Sequence, residues 1–366
     1  MFYPLSWKTK GLSVLHSRLL RKTGHFQEAP FLVLVSFPKI HSANLKILLI
    51  CFRIYGNEKD RAFRIQGGFL HMRILLLGSS GLLGHDCKKV LSGDYEVIAP
   101  DREELDIISW DAVIEKMQKI SPDIVLNCAA FTDVDACEKE HFKVRKANLE
   151  GPRNLAQGSA RFNCKVVHIS SDYVFDGKKS LPQPYFEDDS IEPLSAYGRS
   201  KYESEVAVKE NAPNYIIIRS GWLYGVKGKD FIKSILNNTL GKKIKTLKVV
   251  NDQFASPTWS YRLAMQIKEL IDSDAKGTYH ATAEGYCSPY ELSQHVFKKL
   301  KLKISLEPLS LNDYKYAAKR PSNCILENRL LKKQGINVMV DWKKDVDAFL
   351  DEFGKALVKE ARKGKK

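Results

Sequence analysis

The stretch RILLLGSSGLLG, residues 73–84, has the pattern of a strand, a glycine-rich turn and the start of a helix. Its first five residues form a leucine-rich run typical of a strand buried on both faces, and a helix is predicted to begin near Gly81. The glycines between strand and helix stand three apart, at Gly78, Gly81 and Gly84. In a dinucleotide-binding turn the first permits the tight turn, the second lets a pyrophosphate approach the backbone, and the third allows the helix to pack on the strand. The stretch therefore predicts dinucleotide binding, with a bare structural turn as the alternative.

Short apolar runs and amphipathic stretches alternate beyond this turn. Helices are predicted to begin near Gly81 and Ala196 and to cover 110–120 and 136–161. Continuous apolar strands suit a parallel sheet covered on both faces, so the alternation predicts a Rossmann-type doubly wound α/β fold. The predicted strands are RILLL (73–77), YEVIA (95–99), DIVLN (123–127), KVVHIS (165–170) and YIIIR (215–219).

The regular alternation of predicted strands and helices ends after Gly221, where loops interrupt shorter elements. This change predicts a smaller, partly discontinuous α/β lobe that binds substrate at the carboxyl ends of the strands. Residues 72–222 would form the NAD(P)-binding domain and 223–354 mainly the second lobe, with 258–282 returning to the first domain. Residues 355–366 would form a basic tail.

The positive charge of the chain is concentrated at its two ends. Of the formal net charge of +15, residues 1–71 contribute +8 and residues 355–366 contribute +5, so the body carries only +2. A nearly neutral body removes the main support for a nucleic-acid-binding protein. Residues 1–71 are expected to lie outside the fold, as translated upstream sequence from a misassigned start. A mitochondrial-type presequence is the alternative, since no acidic residue precedes Glu28.

Cysteine usage and hydropathy indicate a cytoplasmic protein. The seven cysteines are odd in number and scattered, and they form no C-x-x-C motif. This pattern argues against a disulfide framework and against zinc. A membrane-spanning helix needs about 20 apolar residues, and no run in the sequence reaches that length. No membrane insertion is therefore expected.

Residues near the ends of the next two strands are candidates for contacts to the adenosine half of a cofactor. Asp101 could bind a ribose 2′-hydroxyl, whereas Arg102 could neutralise the 2′-phosphate of NADP, so the sequence permits NADH or NADPH and Arg102 favours NADPH. The small residues of NCAAF (127–131) would let the chain lie flat against the cofactor. The predicted cofactor-binding residues are Gly78, Ser80, Gly81, Leu82, Leu83, Gly84, Asp101, Arg102, Asp106, Ile107, Ala129, Ala130, Tyr197 and Lys201.

Two later stretches, HISSDYVFDG (168–177) and AYGRSK (196–201), carry the catalytic candidates. Tyr197 and Lys201 are four apart at the start of a predicted helix and so share one face. A nearby ammonium is expected to lower the phenol pKa from about 10, which would make Tyr197 a usable proton donor. Ser171 would hydrogen-bond the reacting oxygen. A Y-x-x-x-K pattern on a solvated helix face is the alternative.

These motifs, in this order, resemble the extended short-chain dehydrogenase/reductases, and among them most closely the dTDP-4-dehydrorhamnose reductases. The resemblance covers residues 72–350. Dehydratases of the superfamily carry an Asp-Glu pair after the catalytic hydroxyl, whereas here Asp172 is followed by Tyr173, as in the reductases. The resemblance implies substrate contacts from Ser171, Asp172 and Trp222. By spacing alone, Trp222 could equally belong to the core.

The activity implied by the resemblance is the NAD(P)H-dependent reduction of the C4 ketone of dTDP-4-dehydro-6-deoxy-L-mannose to dTDP-L-rhamnose, in nucleotide-sugar and cell-surface polysaccharide biosynthesis. The catalytic hydroxyl belongs to Ser171, where many relatives have threonine. Some relatives bind Mg²⁺ at a subunit contact, and Asp86 matches one such position. No full ligand set accompanies it, so the metal and the homodimer it would join lack support. The alternatives are a non-catalytic, NADP-binding regulatory subunit resembling that of methionine adenosyltransferase, and a nucleotide-sugar epimerase.

Overall fold

The computed structural model describes residues 13–15, 31–36, 49–52 and 72–363. Residues 1–69 and 70–366 form separate units. The described part of the first unit is an antiparallel sheet in which β2 lies between β1 and β3. Its strands are β1 (Ser13–Leu15), β2 (Phe31–Ser36) and β3 (Leu49–Phe52). The prediction for residues 1–71 otherwise falls outside the described residues.

The second unit alternates strands and helices along the chain. Its strands are β4 (Arg73–Leu77), β5 (Glu96–Ile98), β6 (Ile124–Asn127), β7 (Lys165–Ser171), β8 (Tyr215–Ser220), β9 (Leu223–Tyr224), β10 (Thr246–Val250), β11 (Thr258–Trp259), β12 (Gly277–His280) and β13 (Ser305–Leu309). Its α-helices are α1 (Leu82–Leu91), α2 (Trp110–Ile120), α3 (Val134–Cys137), α4 (His141–Arg145), α5 (Gly151–Phe162), α6 (Ala196–Asn211), α7 (Phe231–Leu236), α8 (Ser260–Asp272), α9 (Pro289–Lys299), α10 (Arg329–Gln334) and α11 (Trp342–Lys363).

A six-stranded parallel sheet forms the centre of this unit, in the order β12-β8-β7-β6-β4-β5. The chain runs outward from β4 in one direction to β5 and then in the other direction to β6, so the strand order reverses between β4 and β6. The carboxyl ends lie side by side, since Leu77 is opposite Asn127 and Ser171 is opposite Ser220. The predicted fold class is confirmed, and the reversal point is where ligands bind in such sheets.

Strand β4 is buried on both faces because helices cover both sides of the sheet. Ile74 and Leu76 pack in one core with residues of α1 and α8. Leu75 and Leu77 point the opposite way, into a second core with residues of α2 and α5. Burying a leucine or isoleucine side chain contributes roughly 1.5–3 kcal/mol, so the run RILLL anchors the sheet from both sides.

Residues beyond β8 divide between the sheet and a separate core. Helix α8 packs against α1, and β12 pairs with β8 at the edge of the sheet. Helices α7, α9 and α11 instead surround another apolar cluster, which includes Ile232, Val296 and Phe349. Strands β10 and β13 form a parallel pair beside it. No described helix combines the length and apolar composition that crossing a membrane requires.

The long helical stretch predicted over roughly 136–161 is largely helical in the structure, but it is not one regular α-helix. It comprises α3, α4, a π-helical turn at Lys146–Glu150 and α5, and the last three follow one another without a gap. The side chain of Asn148 in that turn hydrogen-bonds both the amide and the carbonyl of Phe131, at 2.7 and 3.0 Å. A π-helical turn of this kind is frequent at functional sites, and here it fixes the loop that follows β6.

Candidate active site

The glycine turn after β4 has room for backbone only. Gly78 has φ +75°, and a Cβ atom there would lie 2.7 Å from the amide nitrogen of Ala129. A Cβ on Gly84 would lie 2.1 Å from the carbonyl oxygen of Gly78. Gly81 begins α1, and among the described side chains none caps this helix or places an acid in its first turn. The turn therefore presents an uncapped, electropositive helix N-terminus to the sheet edge.

The other predicted cofactor residues fall into exposed and buried groups. Asp101 and Arg102 are exposed after β5, and the Asp101 carboxylate accepts hydrogen bonds from the amides of Glu103 and Glu104, each at 2.9 Å. Ser80 is exposed, Leu82, Asp106, Ala129 and Ala130 are partly buried, and Leu83 and Ile107 are buried. The side chains of Leu83 and Ile107 lie in apolar cores, so these two residues offer a ligand only their backbone.

Helix α6 brings the two predicted hydroxyl groups together. It begins where the Ser195 side chain accepts a hydrogen bond from the Gly198 amide, at 3.1 Å. A Cβ on Gly198 would lie 2.2 Å from the carbonyl oxygen of Tyr173, so the helix start packs directly on the segment after β7. The Tyr197 phenol and the Ser171 hydroxyl lie close enough to interact as a result. The fold therefore brings together two residues that the sequence assigned to the same reacting oxygen.

Lys201 lies one turn further along α6 and is buried. Burial lowers its pKa to about 8, against the charge of Glu205, which raises it. The expected lowering of the Tyr197 pKa by Lys201 is wrong for this structure. Burial raises the pKa of Tyr197, and the interaction with Ser171 offsets only part of the effect. The ammonium interacts with Glu205 and Cys128 instead.

Asp172 is buried beside the Ser171 hydroxyl. Its Oδ1 accepts a hydrogen bond from Ser171 Oγ at 2.9 Å, whereas its Oδ2 finds no hydrogen-bond donor among the described residues. A Cβ on Gly221 would lie 2.1 Å from Oδ2, so only glycine fits there. Burial raises the pKa of Asp172 to about 7, against the hydrogen bonds from Ser171 and from the backbone amides of Asp172 and Tyr173, which lower it. The sequence motif indicated Asp172 as a substrate contact and gave no sign of this burial.

Trp222 follows Gly221 in a strained backbone conformation. Its φ is +47°, in the left-handed region that a bulky residue rarely adopts, and such strain costs about 1–3 kcal/mol. The side chain is only partly buried, so Trp222 is not a residue of the apolar cores. Its carbonyl accepts a hydrogen bond from the Thr258 amide at 3.2 Å, which ties the strained residue to β11.

Sequence reasoning missed a buried ion pair beneath these residues. Glu205 accepts two hydrogen bonds from the Arg219 guanidinium, each at 2.8 Å, and one from Ser170 Oγ at 2.6 Å. Burial opposes ionisation of Glu205, but the hydrogen bonds and charge of Arg219 outweigh it and lower the pKa of Glu205. The spacing of four between Lys201 and Glu205 on α6 was the one clue in the sequence.

A second missed feature is a clamp between α3 and the segment after β13. Asp135 binds the Arg320 guanidinium through both carboxylate oxygens, at 3.0 and 2.9 Å. The guanidinium lies 3.4 Å from the ring centroid of Tyr316. Hydrogen bonding to Arg320 holds the pKa of Asp135 down at about 2. The clamp fixes the RPSN segment next to the catalytic strand, since Gly177 of the DYVFDG loop packs on Pro321.

The residues present do not fit the magnesium site that the resemblance suggested. Asp86 is buried in α1, and its carboxylate accepts a hydrogen bond from Ser260. Within the part of the chain that the structure describes, no three or more His, Cys, Asp or Glu side chains group to hold a metal ion.

The chain is similar in sequence and in structure to proteins of a known family. Residues 72–355 match the family profile described as the RmlD substrate binding domain. A dTDP-4-dehydrorhamnose reductase from Aggregatibacter actinomycetemcomitans is 38% identical over 269 residues, covering 70% of this chain and 90% of that protein. The crystal structure of a dTDP-4-dehydrorhamnose reductase from Clostridium acetobutylicum aligns with a TM-score of 0.74 and 37% identity, over 77% of this chain and 100% of the other. The Bacillus anthracis enzyme, solved in complex with NADP, aligns with a TM-score of 0.74 and 35% identity over the same 77% and 100%.

Proposed function

The chain belongs to the RmlD substrate-binding-domain family, and on that premise we propose that it reduces the C4 ketone of dTDP-4-dehydro-6-deoxy-L-mannose to dTDP-L-rhamnose with NADPH or NADH. One observation carries the proposal. The neighbouring hydroxyls of Ser171 and Tyr197 lie with Lys201 at the carboxyl edge of a sheet whose first turn has the glycine cradle of a dinucleotide site.

The backbone cradle fits a nicotinamide dinucleotide. The pyrophosphate would lie against the amides at the start of α1, where Gly78 and Gly84 leave no space for a side chain. Asp101 and Arg102 would take the adenosine ribose and its 2′-phosphate, with Ala129 and Ala130 against the adenosine. Lys201 would hold the nicotinamide ribose. When bound, the reduced cofactor supplies the hydride to C4.

The protein's own side chains polarise the carbonyl and supply the proton. Ser171 donates a hydrogen bond to the C4 oxygen and polarises the carbonyl. Tyr197 passes its phenolic proton to the same oxygen as negative charge develops there. Because burial raises the pKa of Tyr197, the phenol holds its proton until the developing alkoxide takes it. Trp222 and Asp172 would contact the sugar.

The proposed division of labour follows the two parts of the second unit. Residues 72–222 would bind the cofactor, and 223–354 would mainly bind the nucleotide sugar, with 258–282 supporting the sheet. The protein would act in the cytoplasm on a dTDP-linked 6-deoxy-4-ketohexose. A homodimer is proposed from the resemblance alone, and size-exclusion chromatography with light scattering tests it.

The test is a reductase assay on the full-length protein. NADPH or NADH oxidation is followed by absorbance with dTDP-4-dehydro-6-deoxy-L-mannose, and the product is identified by mass spectrometry and NMR. We expect stoichiometric oxidation and dTDP-L-rhamnose. Tight cofactor binding without oxidation would support the regulatory-subunit alternative instead. Interconversion of sugars without net oxidation would support an epimerase.

A further inference from the structure

Asp172 occupies an environment that a permanently charged carboxylate does not tolerate. Its residue exposure is 3%, and Oδ2 meets no donor among the residues described. Burying an unpaired carboxylate is so unfavourable that such a group normally takes up a proton. A proton on the carboxyl group removes the charge, so the surroundings disfavour the carboxylate and raise the pKa of Asp172.

The groups that face Asp172 supply no compensating positive charge. They are the phenol of Tyr173 on the same segment, the phenol of Tyr197 on α6, and the thiol of Cys324 from the segment before α10. Gly221 also lies against Oδ2, where it places no side chain. Burial raises the pKa of all three neighbours, so each is neutral at neutral pH. Among the described residues, no lysine or arginine acts on the Asp172 carboxyl.

A short path leads from this carboxyl through Ser171 to the proposed proton donor. Asp172 Oδ1 is 2.9 Å from Ser171 Oγ, and Ser171 lies close enough to the Tyr197 phenol to offset part of the rise in its pKa. We propose that Asp172 is the proton reservoir of the reduction, which reprotonates Tyr197 through the Ser171 hydroxyl. The inference rests on the proposed function and identifies the origin of the proton that the reaction consumes.

The protons balance along this path. Hydride addition to C4 moves the π electrons of the carbonyl onto oxygen, and that oxygen takes the Tyr197 proton as the phenolic O–H bond breaks. Ser171 then turns its hydroxyl hydrogen away from Asp172 to the phenolate and gives it up, while the O–H bond on Asp172 Oδ1, the oxygen that contacts Ser171, breaks and its proton goes to Ser171 Oγ. Asp172 is left as a carboxylate, and a solvent proton restores it after the product leaves. One proton from water is consumed for each ketone reduced.

The titration of Asp172 suits this task. Its pKa of about 7 means that the acid is half protonated near neutrality and can be reloaded between turnovers. An efficient proton-transfer group has a pKa close to the working pH. Asp172 acts through Ser171 rather than directly on the reacting atoms, so its role must be tested by the pH dependence of turnover.

The test compares kcat and KM from pH 5.5 to 9 for the wild-type protein, Asp172→Asn and a matched control. The asparagine has the shape of the acid but holds no acidic proton. The control is Asp176→Asn, four residues along the same loop, where the carboxylate binds the Tyr185 hydroxyl at 2.7 Å. We expect the wild-type and control kcat to fall as the pH rises through about 7. Asp172→Asn should lose about 100-fold in kcat at pH 6, together with that ionisation.

Each other result identifies a different failure. An active wild-type protein whose Asp172→Asn variant keeps both kcat and the pH profile overturns the relay. So does a raised KM with an unchanged profile, which would make Asp172 a substrate contact only. Wild-type protein that oxidises no NADPH overturns the proposed function. In that event infrared titration tests the reservoir directly, because a protonated-carboxyl band that titrates near pH 7 must be present in the wild type and absent from Asp172→Asn.

Discussion

Two neighbouring serines at the end of β7 face two different buried carboxyl groups. Ser170 and Ser171 point to opposite faces of the sheet, as successive residues of a strand must. Ser170 donates to Glu205 at 2.6 Å, and Ser171 donates to Asp172 at 2.9 Å. Both carboxyls are buried, at 0% and 3% exposure. They differ in their partners: Glu205 is paired with a cation, whereas Asp172 is not.

The Glu205 side is a completed ion pair. Arg219 spans from β8 to α6, binds both carboxylate oxygens, donates to the Glu187 carbonyl at 3.1 Å and stacks over Phe175 at 5.2 Å. Every charge there has a counter-charge, so the groups keep a single protonation state. Such a pair gives little net stability but fixes the relative positions of the elements it joins.

The Asp172 side lacks a cation, and one carboxylate oxygen has no donor among the described residues. The ionised form of Asp172 is therefore disfavoured, and its pKa is raised to about 7, close to neutral pH. A buried carboxylate with a cationic partner, such as Glu205, fixes the relative positions of the elements it joins. A buried carboxyl without one, such as Asp172 beside the Ser171 hydroxyl, can store a proton.

The largest effect is expected at the end of the proton path. Tyr197→Phe removes the group that protonates the C4 oxygen, so kcat should fall about 10³-fold while NADPH affinity is retained. Steady-state assays and fluorescence titration of NADPH measure the two quantities. Tyr290→Phe, on α9 away from the site, is the matched control and should behave as wild type. Near-normal turnover of Tyr197→Phe would refute the assignment of the proton donor.

Breaking the ion pair should damage stability more than any change at Asp172. Glu205→Gln leaves the Arg219 charge buried without its counter-charge, and removing one partner of a buried pair costs about 3–5 kcal/mol of unfolding free energy. Urea denaturation measures the loss. Glu203→Gln changes an exposed residue of the same helix and should shift the unfolding free energy by less than about 0.5 kcal/mol. Equal effects of the two variants would contradict a structural role for the pair.

Asp172→Asn should do the opposite and stabilise the protein at high pH. Because the folded-state pKa of Asp172 is raised from 3.8 to about 7, ionisation is harder in the folded than in the unfolded chain. The folded state therefore loses stability relative to the variant as the pH rises from about 4 to about 7, and this loss is complete above pH 7. We expect a gain of roughly 2–4 kcal/mol at pH 8 and almost none at pH 4, measured by urea denaturation. A gain independent of pH would mean that the carboxyl does not titrate in this range.

The smallest effect is expected at the exposed edge of the cofactor site. Arg102→Ala should weaken NADPH binding about 5- to 10-fold and leave NADH binding unchanged, because an exposed arginine gains little from pairing with a phosphate. Isothermal titration with both cofactors measures the ratio. Arg161→Ala, which changes an exposed arginine on α5, is the control. Equal weakening of both cofactors would show that Arg102 does not read the 2′-phosphate.

Features that depend on residues near one another in the chain were predictable from the amino-acid sequence. The parallel fold was predictable from apolar runs and glycine spacing. The positive φ of Gly78 and the close approach of Gly84 to Gly78 agree with the tight glycine turn that this spacing predicts. The spacing of Tyr197 and Lys201 on one helix was predictable for the same reason. Local periodicity predicted the helical stretch over roughly 136–161 but not its π-helical turn, in which the Asn148 side chain bonds the backbone of Phe131, a residue distant in the chain.

The electrostatics of the site depend on the tertiary fold. Asp172 and Glu205 are both acidic residues near a catalytic motif, and nothing in their local sequence distinguishes a proton store from an ion-pair partner. The distinction arises because β8 brings Arg219 to Glu205, whereas the turn after β8 brings Gly221, without charge or side chain, to Asp172. A carboxyl pKa depends on which charges and how much water surround it in space, and residues distant in the chain supply that environment.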